Sequence, residues 1–504
     1  MPSGVYDLAV VGGGINGAGI AADAAGRGLK VVLFEKGDLA SGTSSASSKL
    51  IHGGLRYLEH WELRLVREAL IEREVLLARA PHLIRPLRFV IPHAAGMRPR
   101  SLMRLGLFLY DHLAARRRIP ASGTVDLARD PAGRPLRAAF QAGLSYYDCL
   151  VDDARLVAMV AMDAAERGAA VHTRTPVTRL ARQGGVWEIT GEGPSGTMAV
   201  AARVLVNAAG PWCAEVAGLV GSQGHVPTLR LVRGTHIVVP RIDGAEDAYL
   251  LQNPDGRVVF ALPFERAFTL IGTTEVDVTR PEDGFAASDA EEAYLLATAG
   301  RFFSHALAKD DIVWRFAGVR PLVEDGASRA SAVSRDYRLD LVASEGQPPL
   351  LNVIGGKITT FRRLAEAALT RLAPFFPGVG AAWTAYAPLP GGDVGADGIE
   401  AYGADLARRH RGLSEGMLKR LVSLYGTRAE RVLGDAKKDA DLGQAIGGGL
   451  TEREVIYLRD HEWARTAEDV LWRRTKAGLH IGDAAQRTQA EAMLSRLLAS
   501  ADGA

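Results

Sequence analysis

Gly12, Gly14 and Gly17 stand at the spacing by which a strand-to-helix turn cradles a pyrophosphate. The first glycine permits the tight turn, the second lets the backbone approach the phosphates, and the third lets helix and strand pack closely. An apolar run, Leu8 to Val11, precedes them, and an Ala-rich stretch that reads as a helix follows. A second apolar run, Val31 to Phe34, ends at Glu35. A carboxylate at that position is placed to accept bonds from ribose hydroxyls. The free N–H groups and partial positive charge where the helix starts suit phosphate. Strand, glycines, helix, second strand and acid, in this order, predict an adenine dinucleotide site.

Other residues point to a flavin rather than a nicotinamide. No second glycine fingerprint occurs, and the first lies at the extreme N-terminus. A hydroxyl-rich run, Ser41 to Ser48, follows the second strand. The hydroxyls of Thr43, Ser44 and Ser48 suit a pyrophosphate or ribityl chain, although such a run also reads as a plain loop. Two later segments look like returns of the chain to the same sheet. One is 203–212, with Ala209-Gly210 at its turn; the other is 352–360, with Gly355-Gly356 and Thr359. That discontinuous layout suits a long cofactor, FAD.

The elements that must hold these residues follow from length and patterning. A chain of 504 residues predicts two or three packed units. Hydrophobic residues at 47% allow a sizeable core, and a net charge of +2 gives no global field for nucleic acid. The two cysteines, Cys149 and Cys213, form no metal-ligand pattern, so no metal site is expected and a reducing compartment fits. No basic region followed by an apolar run opens the chain, and no apolar stretch reaches the ~20 residues that span a bilayer. The expectation is a cytoplasmic protein, soluble or peripheral. β-rich runs within 231–275 predict a mostly antiparallel second sheet. Beyond Pro388 the composition shifts to Arg/Glu/Leu-rich helices. Residues 97–119 carry six arginines and one aspartate among Leu and Phe. They read either as a basic amphipathic helix for an anionic lipid surface or as an ordinary helix whose apolar face is core.

Four runs make the pattern specific: Val11 to Gly28, Thr43 to Tyr57, Gly318-Val-Arg-Pro321 and Gly355-Gly-Lys-Ile-Thr-Thr360. With His461-Glu-Trp and Leu471-Trp-Arg-Arg-Thr475, they make the whole chain resemble the bacterial FAD-dependent, quinone-reducing glycerol-3-phosphate dehydrogenases. The resemblance implies an α/β fold of the D-amino-acid oxidase class. A Rossmann-type FAD-binding domain would be assembled from 1–80, 146–220 and 316–385, an α+β cap (substrate) domain from 81–145 and 221–315, and a helical C-terminal domain from 386–504. It further implies oxidation of sn-glycerol 3-phosphate to dihydroxyacetone phosphate, electron transfer to membrane quinone, attachment to the cytoplasmic face of the inner membrane and a homodimer. Cofactor contacts are expected at the residues above and at Lys49, Leu50, His52, Val177, Gly356 and Lys357. Arg56, Arg320 and Lys357, each beside a turn that abuts the cofactor, form an expected clamp for a dianionic phosphate, where Arg offers a planar fork and Lys a point charge. Tyr57 and Thr274 are expected to hydrogen-bond substrate. The proton acceptor is expected at His236, with His52 the alternative. Nothing in the residues separates quinone from oxygen as acceptor. A flavin oxidase and a non-catalytic flavin-binding protein remain the competing readings.

Overall fold

A computed structural model describes residues 4–94, 97–221, 228–323 and 336–499. Among the described residues, one sheet holds eight strands. Its centre is β1 (Tyr6–Val11), flanked by β2 (Val31–Phe34) and by a long strand, Gly196–Asn207, both parallel to it. Parallel strands buried on both faces need continuous apolar sequence, and Leu8, Ala9, Val10 and Val31 to Leu33 are fully buried. One face carries α1 (Ile15–Gly26), together with helices Asp153–Glu166 and Phe361–Leu372. The other is covered by an antiparallel meander through Val177–Gln183 and Val186–Gly193, closed by Trp187. Strand Leu350–Gly355 returns parallel beside 196–207, so the two later segments do rejoin the first sheet.

The second sheet has ten strands among the described residues and carries the site's roof. It contains β3 (Leu50–Ile51), β4 (Ile84–His93), β5 (Gly123–Asp126) and β6 (Ala142–Val151). A meander from Leu229–Pro240 to Val276–Val278 and the strand Trp314–Val323 complete it. Strand Ala248–Gln252 lies parallel to β4 and joins the two cap segments.

Three expected boundaries shift. β6 pairs with β4 over its whole length, so it cannot be divided at 145/146 and belongs entirely to the second sheet. Strand 314–323 pairs with 229–240 from Trp314 to Val323, which carries that sheet past 315/316. β3, inside the first expected FAD segment, is the edge of the second sheet through its pairing with β6.

The helices between these strands are α2 (Leu63–Arg79), α3 (Arg100–His112) and α4, the helix Asp153–Glu166 named above. α3 lies within the basic segment 97–119. Its inner residues Leu107 and Tyr110 are buried, while Leu102, Phe108 and Leu105 are 59%, 57% and 56% exposed. Beyond Leu389 a separate apolar core gathers helices from Gly398–Arg409 to Ala484–Ala499. No helix among the described residues is long and apolar enough to cross a membrane.

Candidate active site

A single cavity of about 1030 Å³ runs from the end of β2, past the start of α1, under the second sheet, to the exposed face of α3. Gly12 and Gly14 line its inner end; Gly17 lies behind, where a Cβ would sit 1.9 Å from the Gly12 carbonyl oxygen. Only glycine allows that approach of helix to strand. At Gly12, φ is +115° and a Cβ would sit 2.4 Å from the Ala208 carbonyl oxygen, so this position also excludes a side chain. Glu35 accepts from Gly13 N–H (2.6 Å) and Gly37 N–H (2.7 Å), which folds the turn around its carboxylate. Burial pushes that carboxyl above its ordinary range, against the pull of the two N–H groups.

The hydroxyl-rich loop lines the cavity, but its side chains also staple it to four elements. Ser44 accepts from Ile15 N–H at 3.0 Å and so satisfies a donor at the start of α1. Thr43 donates to the Val319 carbonyl, and Ser47 bonds Asp153 of α4. Ser48 Oγ lies 3.0 Å from His236 Nε2. Lys49 turns away from the cavity: its ammonium is buried on Asp153 (2.7 Å) and the Ser45 carbonyl (2.9 Å), a structural ion pair rather than a cofactor contact. Leu50, Val177, Ala209, Gly210 and Gly356 line the cavity as expected. Thr359 does not; its hydroxyl accepts from His52 N–H, and its neighbour Ile358 is the lining residue.

At the other end, His52, Arg56, Tyr57, Arg320 and Lys357 line the same cavity. Arg320 crosses over Gly234, where a Cβ would sit 2.5 Å from the guanidinium, and donates to Thr273 Oγ1 at 3.1 Å. Lys357 Nζ sits 3.6 Å from the centroid of the Tyr57 ring, a cation–π contact. Gly54, at φ +77°, leaves room for both. Arg56 reaches within 3.9 Å of Glu275.

Two expectations are corrected here. Thr274 is buried outside the cavity: its hydroxyl accepts from Thr235 N–H (2.9 Å) and donates to Glu291 (2.6 Å). Thr273 lines the cavity instead, since neighbours along an extended chain face opposite ways. His236 does not line it either; the ring is stacked on Phe316 over Gly272 and reaches the cavity through Ser48. Burial holds His236 well below its ordinary value, with the Arg320 and Lys49 charges adding to the effect. His52 is pushed down to about 3 by burial and then by Lys357 and Arg73. Both rings are neutral at pH 7. Sequence reasoning also missed Asn16, Trp212, Gln252, Phe260 and Glu275 of the lining. Asn16 was legible inside the glycine motif; its amide donates to the Gly355 carbonyl at 3.1 Å and ties the two turns together.

The family model described as FAD dependent oxidoreductase matches residues 7–362, and one for the C-terminal domain of alpha-glycerophosphate oxidase matches 382–500. The chain belongs to the FAD-dependent oxidoreductases. It is 53% identical over 483 residues to a glycerol-3-phosphate dehydrogenase of Pseudomonas aeruginosa, covering 96% of this chain and 94% of that one. It is 50% identical to the D-erythritol 1-phosphate dehydrogenase of Brucella abortus, with 95% of each chain covered. The aerobic glycerol-3-phosphate dehydrogenase of Escherichia coli is 47% identical, with 94% of each chain covered. These relatives make it a member of the bacterial glycerol-3-phosphate dehydrogenase group within that family. The structure of the Bacillus halodurans glycerol-3-phosphate dehydrogenase complexed with FAD superposes with a TM-score of 0.74 at 26% identity, covering 99% of this chain and 95% of that one. The residues present fit FAD. The glycine cradle excludes side chains where a pyrophosphate must approach, and the one long cavity joins that cradle to the cationic end.

Proposed function

We propose that this flavoenzyme oxidises sn-glycerol 3-phosphate to dihydroxyacetone phosphate and passes the electrons to membrane quinone. The observation that carries the reading is the set Arg56, Arg320 and Lys357 at one end of the cavity whose other end is the dinucleotide cradle. FAD, when bound, supplies the acceptor for the C2 hydride. Arg56, Arg320 and Lys357 hold the phosphate dianion, and Tyr57, fixed under Lys357, shapes the same wall. The C2 hydroxyl gives its proton to His52, the imidazole that lines the cavity, while His236 orients the Ser48 hydroxyl beside it. A bound dianion offsets the field of Lys357 and makes His52 a stronger base than in the empty cavity. The turn from Lys357 into the helix at Phe361 adds N–H groups and positive charge near the cationic wall.

The cavity opens beside Trp61, Leu102, Leu105 and Leu109. Trp61 is 78% exposed, and Arg98, Arg100 and Arg104 flank the same apolar row. An exposed apolar mouth ringed by arginines suits contact with an anionic lipid surface, from which a quinone enters without crossing water. This favours quinone over oxygen and a peripheral place on the membrane.

A second reading has an observation of its own. The Brucella relative acts on a tetritol phosphate at nearly the same identity, and Gln252 and Glu275 line this cavity as acceptors for further hydroxyls. Anaerobic addition of each phosphate to the purified holoenzyme separates the readings. Fast bleaching of the flavin spectrum by glycerol 3-phosphate and slow bleaching by D-erythritol 1-phosphate is the expected result; the reverse order reassigns the substrate, and no bleaching by either removes both.

A further inference from the structure

The turn that carries His52 and Arg56 is fastened at one end to α3, the helix with the exposed apolar row, and at the other to the segment leading into it. The inner fastening is buried. Tyr110, on the inner face of α3, accepts from Gly53 N–H at 2.8 Å and donates to the Asp148 carboxylate at 2.8 Å. Asp148 is itself held by Arg73 of α2 at 2.6 Å, and Arg73 also donates to the Tyr147 carbonyl at 2.8 Å. The fit leaves no slack: a Cβ on Gly53 would lie 2.6 Å from the Tyr110 oxygen and 2.6 Å from Leu70 Cδ2. The Tyr110 ring meets Tyr146 edge to face, with centroids 5.9 Å apart. The outer fastening is an exposed ion pair between Glu59, on the turn Leu55–His60, and Arg98, just before α3.

Leu102, Leu105, Phe108 and Leu109 recur along α3 at the spacing of one helical face. Whatever covers that face loads the helix from outside, and the phenol on its inner side bears on the backbone N–H next to His52. A buried hydrogen bond at van der Waals contact passes a small displacement on, because packed interiors yield little.

We propose that Tyr110 is a positioning residue for substrate binding, and that it transmits seating of α3 on a lipid surface to the turn bearing His52 and Arg56. The proposal rests on the membrane reading of α3 given above. His52 N–H is anchored separately on the Thr359 hydroxyl at 3.2 Å, so the expected change falls on the Arg56 side of the turn and on how the phosphate is held, with little effect on hydride transfer once substrate is seated.

The test uses FAD-loaded wild type, Tyr110→Phe and Glu59→Gln, with and without vesicles of phosphatidylglycerol and phosphatidylcholine. In Tyr110→Phe the flavin spectrum persists, KM for glycerol 3-phosphate rises about tenfold, the worth of one hydrogen bond, and the limiting rate of anaerobic flavin reduction stays within about threefold. Vesicles lower the wild-type KM and leave that of Tyr110→Phe unmoved. Glu59→Gln, at the exposed end of the fastening, gives the same split in milder form and serves if Tyr110→Phe does not fold. A wild-type KM in both variants overturns the positioning role. A vesicle response of equal size in wild type and Tyr110→Phe overturns the coupling. Wild type that fails to float with vesicles overturns the membrane reading, and a KM rise in Tyr110→Phe then still upholds the positioning role.

Discussion

Arg320 sits in a slot made by Gly234 and Thr273, so its guanidinium is aimed before substrate arrives. A charge-assisted hydrogen bond contributes about 1.5–3 kcal/mol. Arg320→Ala is therefore expected to raise KM for glycerol 3-phosphate by roughly ten- to a hundredfold while the purified protein keeps its flavin. Steady-state kinetics beside the visible spectrum check this, and an unchanged kcat/KM removes Arg320 from the clamp. Glu35 carries the parallel expectation for the cofactor. Both of its oxygens hold N–H groups of the two turns that shape the cradle, so Glu35→Ala should weaken FAD binding by about one to two orders of magnitude, read by flavin release on dilution. These residues were legible because glycine and acid spacings are local. Thr274 and Lys49 were misread because their partners, Glu291 and Asp153, are brought up only by the fold. The loop hydroxyls show the same limit: the run was visible, but not that Ser44, Ser47 and Ser48 each spend a bond on a different element.

The arginines among Leu and Phe in 97–119 left two readings open, a lipid-facing helix or one whose apolar face is core, because α3 is apolar on both sides. Leu107 and Tyr110 point inward and Leu105 and Phe108 outward. The strands tell a related story. The partners of Ala142–Val151 and Trp314–Val323, β4 and the strand 229–240, assign both to the cap sheet, across the segment boundaries expected at 145/146 and 315/316. The outward row of α3 is exposed and lies outside the apolar core beneath the helix, so its substitution separates membrane contact from folding. Leu105→Glu with Phe108→Glu adds two negative charges to a face flanked by arginines. The double variant should no longer float with anionic vesicles, while Tm stays within a few degrees of wild type, as surface changes usually do. Flotation that survives the double substitution would falsify the assignment of this face. Raised salt should release wild type from the same vesicles, because surface attraction is screened.

Buried charges fasten the C-terminal unit onto the FAD unit. Arg473 and Arg474 both donate to Asp38, just beyond the Glu35 turn, at 2.7 and 2.8 Å. Arg155 of α4 binds Glu462 and the Leu424 carbonyl, and Lys476 holds Asp152 at 2.9 Å. The run Leu471 to Thr475 stood out in the sequence, yet its purpose depended on an aspartate more than four hundred residues earlier. Without the Arg474 guanidinium, Asp38 keeps only Arg473 and the Glu462 carbonyl loses both of its donors, and a buried acceptor left short costs about 1–3 kcal/mol. Arg474→Leu should therefore lower Tm markedly and, by loosening Asp38, speed flavin loss. Acid adds a second, separable stress at the same junction. His82 is wedged between the linker at Gly391 and the turn at Gly426, and neither ring nitrogen has a hydrogen-bond partner among the described residues. Burial, reinforced by Arg155, pushes its imidazole down to about 3 from an ordinary 6.5. Between those values the unfolded chain binds the proton and the folded chain does not. Stability from this group is thus fully present above pH ~6.5 and declines as pH falls toward ~3, by up to about 1.4 kcal/mol per pH unit. His82→Leu removes that dependence. Its Tm should fall less steeply than that of wild type between pH 6.5 and 4, whatever its value at pH 7, and parallel slopes for the two proteins would show that His82 does not hold the junction's acid sensitivity.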